Sequence, residues 1–403
     1  MTNVVLKTRG GNSLLESFSR LSSVNTARAA IFCIASFILC IASFILLSAC
    51  SGNSKRPQPA DLGANTPLIG VKQAWTNRIG EVPPGATPAV AGNSVFVAAA
   101  DGTVAALEAG TGRDLWRASL GTPLATGVGS DGKFAAVVSR SNEVITLDGG
   151  KEIWRAKLPA QAYTAPFVAG GRVFVLAADR SVSAFDAVTG GKLWSQQRPG
   201  EPLVLRQPGS ILAVGDTLVV GLSGRLVGLN PGNGSIRWDA PIASPRGTND
   251  VERLVDLVGR TSRVGDTVCA RAFQAAVGCV NAARGALLWN RPANGAEGLH
   301  GDDRLVVGVE TDGKVIAWRR ADGERAWTSE RLQNRTLSAP LMVGRSVVIG
   351  DSTGLVHMLS REDGSPLTRL STDNSGIAAS PVLAGQTLVV VTRNGGIYGF
   401  APE

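Results

Sequence analysis

An all-β fold, an eight-bladed β-propeller of four-stranded antiparallel blades, is predicted by three features of this 403-residue chain. The first is a tryptophan that returns at Trp75, Trp116, Trp154, Trp194, Trp238, Trp289 and Trp327, with gaps of 41, 38, 40, 44, 51 and 38 residues; a further 41 reaches Thr368. The second is the phrase that leads into it. Asp101 to Trp116 places a short apolar strand between two glycine turns and ends on a strand carrying the tryptophan; the phrase returns at Asn142–Trp154, Asp179–Trp194, Gly224–Trp238, Ala275–Trp289 and Asp312–Trp327. The third is composition: glycine is abundant, with 49 residues, and helical periodicity is scarce after residue 50. A period near forty built from short strands and turns is the signature of propeller blades. One blade cannot bury both of its faces, so its neighbours must cover them, and a large indole at one place per blade suits that contact.

In chain order, residues 1–28 form a polar, basic leader, and Ala29 to Leu47 is an almost unbroken apolar run that stops at Ser48-Ala49-Cys50. A basic segment, an apolar core and small residues make an export signal, assigned to residues 1–49. Leu47-Ser-Ala-Cys50 resembles the lipobox of bacterial lipoproteins, which implies lipid attachment at Cys50. The competing assignment is a signal anchor, since the run is long enough to span a bilayer. Ser51, rather than Asp, favours the outer membrane by resemblance to known sorting rules. Residues 50–68, poor in core-forming side chains, are expected to be a flexible tether. The propeller is assigned to 69–403. Ile69 to Trp75 carries a repeat tryptophan without the rest of its repeat, and Gly395 to Phe400 has the turn and inner strand without the tryptophan strand. The two fragments add up to one blade, so the N-terminal strand is expected to close the ring and remove its free edges.

Upstream strands recur as well. Thr87 to Val97, Thr164 to Val175, Ser338 to Val348 and Ser380 to Val390 are copies of a short inner strand, a turn and a β-branched middle strand. Two stretches break the rhythm: Pro199 to Gly209, with Leu203, Leu205 and Arg206, and Asp239 to Arg263, with Asp256. Insertions in a ring of strands sit on a rim, where function concentrates. On spacing alone, a tolerated loop with Leu203 and Leu205 as ordinary inner-strand residues remains equally open.

Composition restricts the chemistry. The net charge of +8 includes Lys7, Arg9, Arg20 and Arg28 of the leader, and no basic run with interleaved aromatics follows, which argues against nucleic acid. His300 and His357 are the two histidines, too few for a zinc site, and both are expected to be packed or surface residues. No nucleophile elbow, phosphate loop or paired carboxylates stand out, so no catalytic residue, metal or cofactor is assigned. Cys269 and Cys279 flank a hairpin in a compartment expected to be oxidising. A three-residue loop with a bulge would set them opposite each other, whereas a two-residue loop would point them to opposite faces.

The blade motif Val-x-Ala-Leu-x-x-x-Thr-Gly-x-x-x-Trp resembles that of quinoprotein dehydrogenases, and a lipid-anchored quinoprotein oxidoreductase is the alternative assignment. The vicinal Cys-Cys pair of that class has no counterpart here. Lipobox, tether, ring, Leu203-Val-Leu-Arg206 and Glu252-Arg-Leu-Val-Asp256 together resemble the BamB (YfgL) family of lipoproteins of the outer-membrane β-barrel assembly machinery. Val258 stands where that family often carries a second acidic residue. The resemblance implies a non-enzymatic scaffold on the periplasmic face of the outer membrane of a Gram-negative bacterium. It also implies that Leu203, Leu205, Arg206 and Asp256 contact the periplasmic domains of the central assembly subunit, with unfolded barrel proteins as further partners.

Overall fold

The computed structural model describes residues 57–83, 85–198, 203–245, 248–249 and 253–403. The signal segment, Cys50, Ser51 and Glu252 lie outside the described residues. The chain divides into two units, Met1–Gln58 and Pro59–Glu403, and the second carries the fold. Among the described residues, 32 strands form eight four-stranded antiparallel sheets, the eight-bladed propeller read from the repeat. Blade 1 runs Ala89–Ala91, Ser94–Ala98, Thr103–Glu108 and Asp114–Ser119; blades 2 to 7 repeat this order, each beginning where the last ends. Blade 8 takes Val382–Ala384, Thr387–Val391 and Gly396–Pro402 from the end of the chain and Val71–Arg78 from its beginning. Trp75 pairs with Gly399 and Asn77 with Ile397, so the ring is closed by the N-terminal strand.

The apolar residues gather in eight layers, one at each blade interface. The layer between blades 8 and 1, for instance, joins Val382, Val389, Val391 and Ile397 to Val95, Val97, Ala105 and Leu107. Middle strands are therefore buried on both faces, as in Phe134–Val138 and Thr387–Val391, while outer strands alternate between core and solvent.

Each of the seven repeat tryptophans sits on the outermost strand beside a β-bulge and opposite a small residue: Trp116 faces Ala106, Trp194 Ala184, Trp238 Gly228 and Trp327 Ala317. The bulge re-aims the indole and the small partner leaves room for it to cross the sheet. It then lies on a glycine turn of the next blade. A Cβ on Gly112 would come within 2.2 Å of Trp75, and Gly150, Gly190, Gly234, Gly285, Gly323 and Gly364 hold the following six in turn. Those glycines have positive φ, so both backbone and neighbour demand the missing side chain. Trp75, Trp154, Trp194, Trp289 and Trp327 also donate Nε1–H to a carbonyl of that next blade at 2.7–2.9 Å.

This contact explains why the repeat fails at Thr368. An indole on blade 7 would need the glycine turn between the last two strands of blade 8, but those strands, Gly396–Pro402 and Val71–Arg78, are not consecutive in the chain and no turn joins them. Thr368 faces Met358, so the large and small members of the pair change places. Ile69 and Val71 cover the gap beside Leu367, Leu370 and Phe400.

Cys269 and Cys279 form a directly opposite pair across a three-residue loop, Phe273–Ala275, which needs no bulge, and a disulfide joins them. Both are fully buried between blades 5 and 6. We expect neither Cys269 nor Cys279 to be alkylated in the denatured, unreduced protein; alkylation of both would rule the bond out.

The segment expected to be a tether is docked over its last part. Ala60 donates its N–H to the Gln333 carbonyl (2.9 Å) in the connection from blade 6 to blade 7, and Leu68 donates to the Leu367 carbonyl (2.7 Å) of blade 7. The free length expected up to residue 68 is shortened accordingly, because Leu62 finds apolar cover on the layer between blades 6 and 7.

Candidate functional site

Antiparallel pairing puts the connections between blades, and the turns between second and third strands, on one face of the ring. The two irregular stretches meet there. Leu203–Arg206 belongs to the connection from blade 3 to blade 4 and is not strand; the first strand of blade 4 is Ile211–Val214. The alternative of ordinary inner-strand leucines is thereby excluded. Asp256 immediately precedes Leu257–Val264, the first strand of blade 5.

Asp256 ties the two together. Its Oδ2 accepts the Leu205 N–H at 2.9 Å across 51 residues of sequence. Its Oδ1 lies 3.7 Å from Arg180 Nη2, which donates to the Leu203 carbonyl at 2.9 Å. These contacts link four residues, Leu205, Asp256, Arg180 and Leu203, and hold the blade 3–4 connection in one shape. The Asp256 and Arg180 side chains keep only 18% and 10% of their exposure, so both act inward, on the loop. Leu203 is 41% exposed, Leu205 is half-buried, and Arg206 is exposed with no hydrogen bond or ion pair among the described residues. Val258 is buried in its strand and presents nothing to a partner.

Arg180 was missed by sequence reasoning. It has φ +62°, in a turn where other blades place Gly102, Gly313 and Gly354. A left-handed non-glycine residue costs about 1–2 kcal/mol and is kept where the structure over-determines it. The signal available in the sequence was an arginine at a turn position that sister repeats give to glycine at 102, 313 and 354 and to Asn142 in blade 2.

Arg206 also lines the central channel, a cavity of about 950 Å³ to which connections all round the ring contribute, among them Thr87, Tyr163, Arg260, Ser338 and Ser380. The histidines are structural. His357 Nε2 is 3.0 Å from Asp351 Oδ2, and both are buried. Burial works against the Asp351 carboxylate, but hydrogen bonds from His357, Thr353 and the Leu355 amide outweigh it and hold its carboxyl well below the usual range. His300 Nδ1 accepts the Met342 N–H at 3.1 Å. Burial, with Arg260 and Arg320 nearby, pushes His300 down to about 3. The unfolded chain binds that proton near pH 6.5, so between pH 6.5 and about 3 folding excludes a proton and stability falls as pH falls. We expect His300→Gln to flatten this slope by up to about 1.4 kcal/mol per pH unit, measured by urea unfolding at pH 7, 6 and 5.

The family model described as "Outer membrane protein assembly factor BamB" matches residues 100–329. The outer membrane protein assembly factor BamB of Burkholderia pseudomallei is 39% identical over 361 residues, covering 88% of this chain and 95% of the relative. The crystal structure of BamB from Moraxella catarrhalis superposes with a TM-score of 0.76 at 21% identity, over 82% of this chain and 99% of that one. The quinohemoprotein alcohol dehydrogenase of Comamonas testosteroni superposes at 0.65 and 15% identity, over 87% and 82%, a likeness of fold alone. The chain belongs to the family of the outer membrane protein assembly factor BamB.

Proposed function

We propose that this chain is a non-enzymatic scaffold of the machinery that assembles β-barrel proteins in the outer membrane. In this reading Cys50 carries the lipid, and Leu203, Leu205 and Arg206 grip the periplasmic domains of the central assembly subunit. The observation that carries the reading is the convergence of Leu203–Arg206 and Asp256. A loop held by a charged clamp and displaying an exposed leucine and a guanidinium with no partner among the described residues is built for a partner: the apolar group anchors and the charge sets register. Its order is present before the partner arrives, which lowers the cost of binding. Asp256 and Arg180 are positioning residues; Leu203 and Arg206 touch the partner. The name shared by the relatives, outer membrane protein assembly factor, supports the same role.

Affinity purification of the tagged chain from solubilised outer membranes tests this. We expect Arg206→Glu to lower recovery of the assembly subunit at least about tenfold, the scale of a lost interfacial charge pair, with no change in thermal unfolding. Asp256→Ala should lower it as well and, unlike Arg206→Glu, speed amide exchange at Leu205. Full recovery with Arg206→Glu would remove the loop from the interface.

A further inference from the structure

We infer that the central channel binds a small molecule with oxyanion groups at both ends, a polycarboxylate or an oligophosphate, held between Arg393 on one side of the ring and Arg260 and Arg206 on the other. The inference goes beyond the scaffold reading and does not depend on it.

Three guanidiniums line the channel, from elements far apart in the chain. Arg206 lies in the connection into blade 4, Arg260 in the first strand of blade 5, and Arg393 in the turn between Thr387–Val391 and Gly396–Pro402 of blade 8. All three are exposed, and none makes a hydrogen bond or ion pair through its side chain among the described residues. On the outer strands, by contrast, arginines are tied to acids, as Arg117 is to Asp114 and Arg155 to Glu152.

The backbone delivers Arg260 to the channel. The ladder between the first two strands of blade 5 skips from Val258 to Ser262, a bulge that takes Arg260 out of register. Gly259 donates its N–H to the Pro208 carbonyl and Leu299 donates to the Arg260 carbonyl, both at 2.7 Å, which fixes the bulge from either side. The side chain opens on the channel but is walled by protein around it. Burial lowers its guanidinium from the ordinary value and no carboxylate opposes this, whereas Glu310 does so for Arg271, and Asp302 and Asp303 do so for Arg320. A cation held in a concave wall without a counter-charge favours an anion beside it.

The acids on the same wall leave positive charge in excess. Asp351 already accepts from Arg335 and His357. Burial pushes Glu297 up to about 7, so near neutral pH it carries only part of its charge. Glu81 forms no ion pair with any of the three arginines. In a ring of eight, blade 8 lies opposite blade 4, so Arg393 stands across the channel from Arg206 and Arg260. An anion at one end meets one side of the ring; a ligand charged at both ends bridges it. Guanidinium forks match carboxylate and phosphate oxygens alike. The channel's volume of about 950 Å³ is that of a small-molecule site.

Isothermal titration calorimetry of the full-length chain in a nonionic detergent tests this. The probes are benzene-1,3,5-tricarboxylate and inorganic triphosphate, with benzoate and inorganic phosphate as their single-ended counterparts. We expect at least one probe to bind at least about tenfold tighter than its counterpart, and the one that does separates carboxylate from phosphate. Arg260→Gln and Arg393→Gln should each weaken that probe at least about tenfold without lowering the unfolding temperature, since neither guanidinium holds another residue. Arg140→Gln, on the blade 2 turn equivalent to that of Arg393 but outside the channel wall, should leave its affinity unchanged. Undetectable binding of both probes, equal affinity for probe and counterpart, unchanged binding in Arg260→Gln or Arg393→Gln, or an equal loss in Arg140→Gln overturns the inference.

Discussion

Trp75→Ala is expected to destabilise the protein by about 3–5 kcal/mol, the cost of deleting a buried aromatic side chain, and to do so by opening the ring. Trp75 spans the seam. Its indole lies over Gly399 of its own blade and Gly112 of blade 1, and its Nε1 donates to the Ala109 carbonyl at 2.8 Å. The strand that carries it is joined to the rest of blade 8 only by its ladder to Gly396–Pro402. Loss of the indole removes one tie from this strand to blade 1 and leaves that of Asn77 Nδ2, which donates to the Gly112 carbonyl (2.6 Å) and to Asp114 Oδ1 (2.9 Å). Urea unfolding should show a lower midpoint, and amide exchange should rise first at Val71–Arg78. Trp116→Ala, at a seam within continuous chain, should cost a similar amount without selective exchange in that strand. A Trp75→Ala protein that unfolds at the unaltered midpoint would mean that the closing contact contributes little. The converse substitution, Thr368→Trp, should not stabilise, because blade 8 offers no glycine turn to receive it.

Glu310→Ala is expected to cost about 3–5 kcal/mol for a different reason, the stranding of a buried charge. Arg271 is fully buried, and its Nη1 lies 2.9 Å from Glu310 Oε1, itself largely covered. A Cβ on Gly295 or Gly308 would fall within 1.9 and 2.3 Å of the guanidinium, so two glycines form its slot, and the Trp318 ring lies 5.8 Å away. Burial pushes the Arg271 guanidinium down from its ordinary value, and Glu310 is the neighbour that chiefly opposes this. With the Glu310 carboxylate gone, the buried cation is left with the weaker influence of Glu297, whose own carboxyl burial pushes up to about 7. The pair joins blades 5 and 6, so its loss should loosen the layer that also holds the Cys269–Cys279 disulfide. Arg271→Met with Glu310→Leu should recover a large share of the loss, since well-packed apolar replacements of buried ion pairs are often close to neutral. Chemical unfolding of the two single variants and the double variant checks this. A double variant no more stable than Glu310→Ala would show that the slot cannot be repacked.

The ring was legible because its determinants are local. Strand, glycine turn and tryptophan recur within each forty-residue repeat, and alternate residues along a strand face opposite sides whatever lies beyond. The closing strand was legible by subtraction, as a first fragment and a last fragment that complete one blade. Leu203, Leu205, Arg206 and Asp256 stood out as breaks in rhythm, but their roles did not. Only the closed ring brings residue 256 to residue 205 and shows the aspartate turned inward as a clamp while Leu203 and Arg206 face out.

By itself, then, the sequence determined the blade count, the seam and the position of each tryptophan, because each depends on neighbours a few residues apart. The tertiary structure alone decided the clamp that Asp256 and Arg180 place on Leu203 and Leu205, the buried Arg271–Glu310 pair, the facing of Cys269 and Cys279, and the docking of residues 60–68 along blade 7 and the connection that leads into it. Each of these needs a turn length, or the meeting of elements far apart in the chain. A periodic pattern states that blades pack in order, and it carries no term for which irregular residues come within hydrogen-bonding distance once the circle is shut.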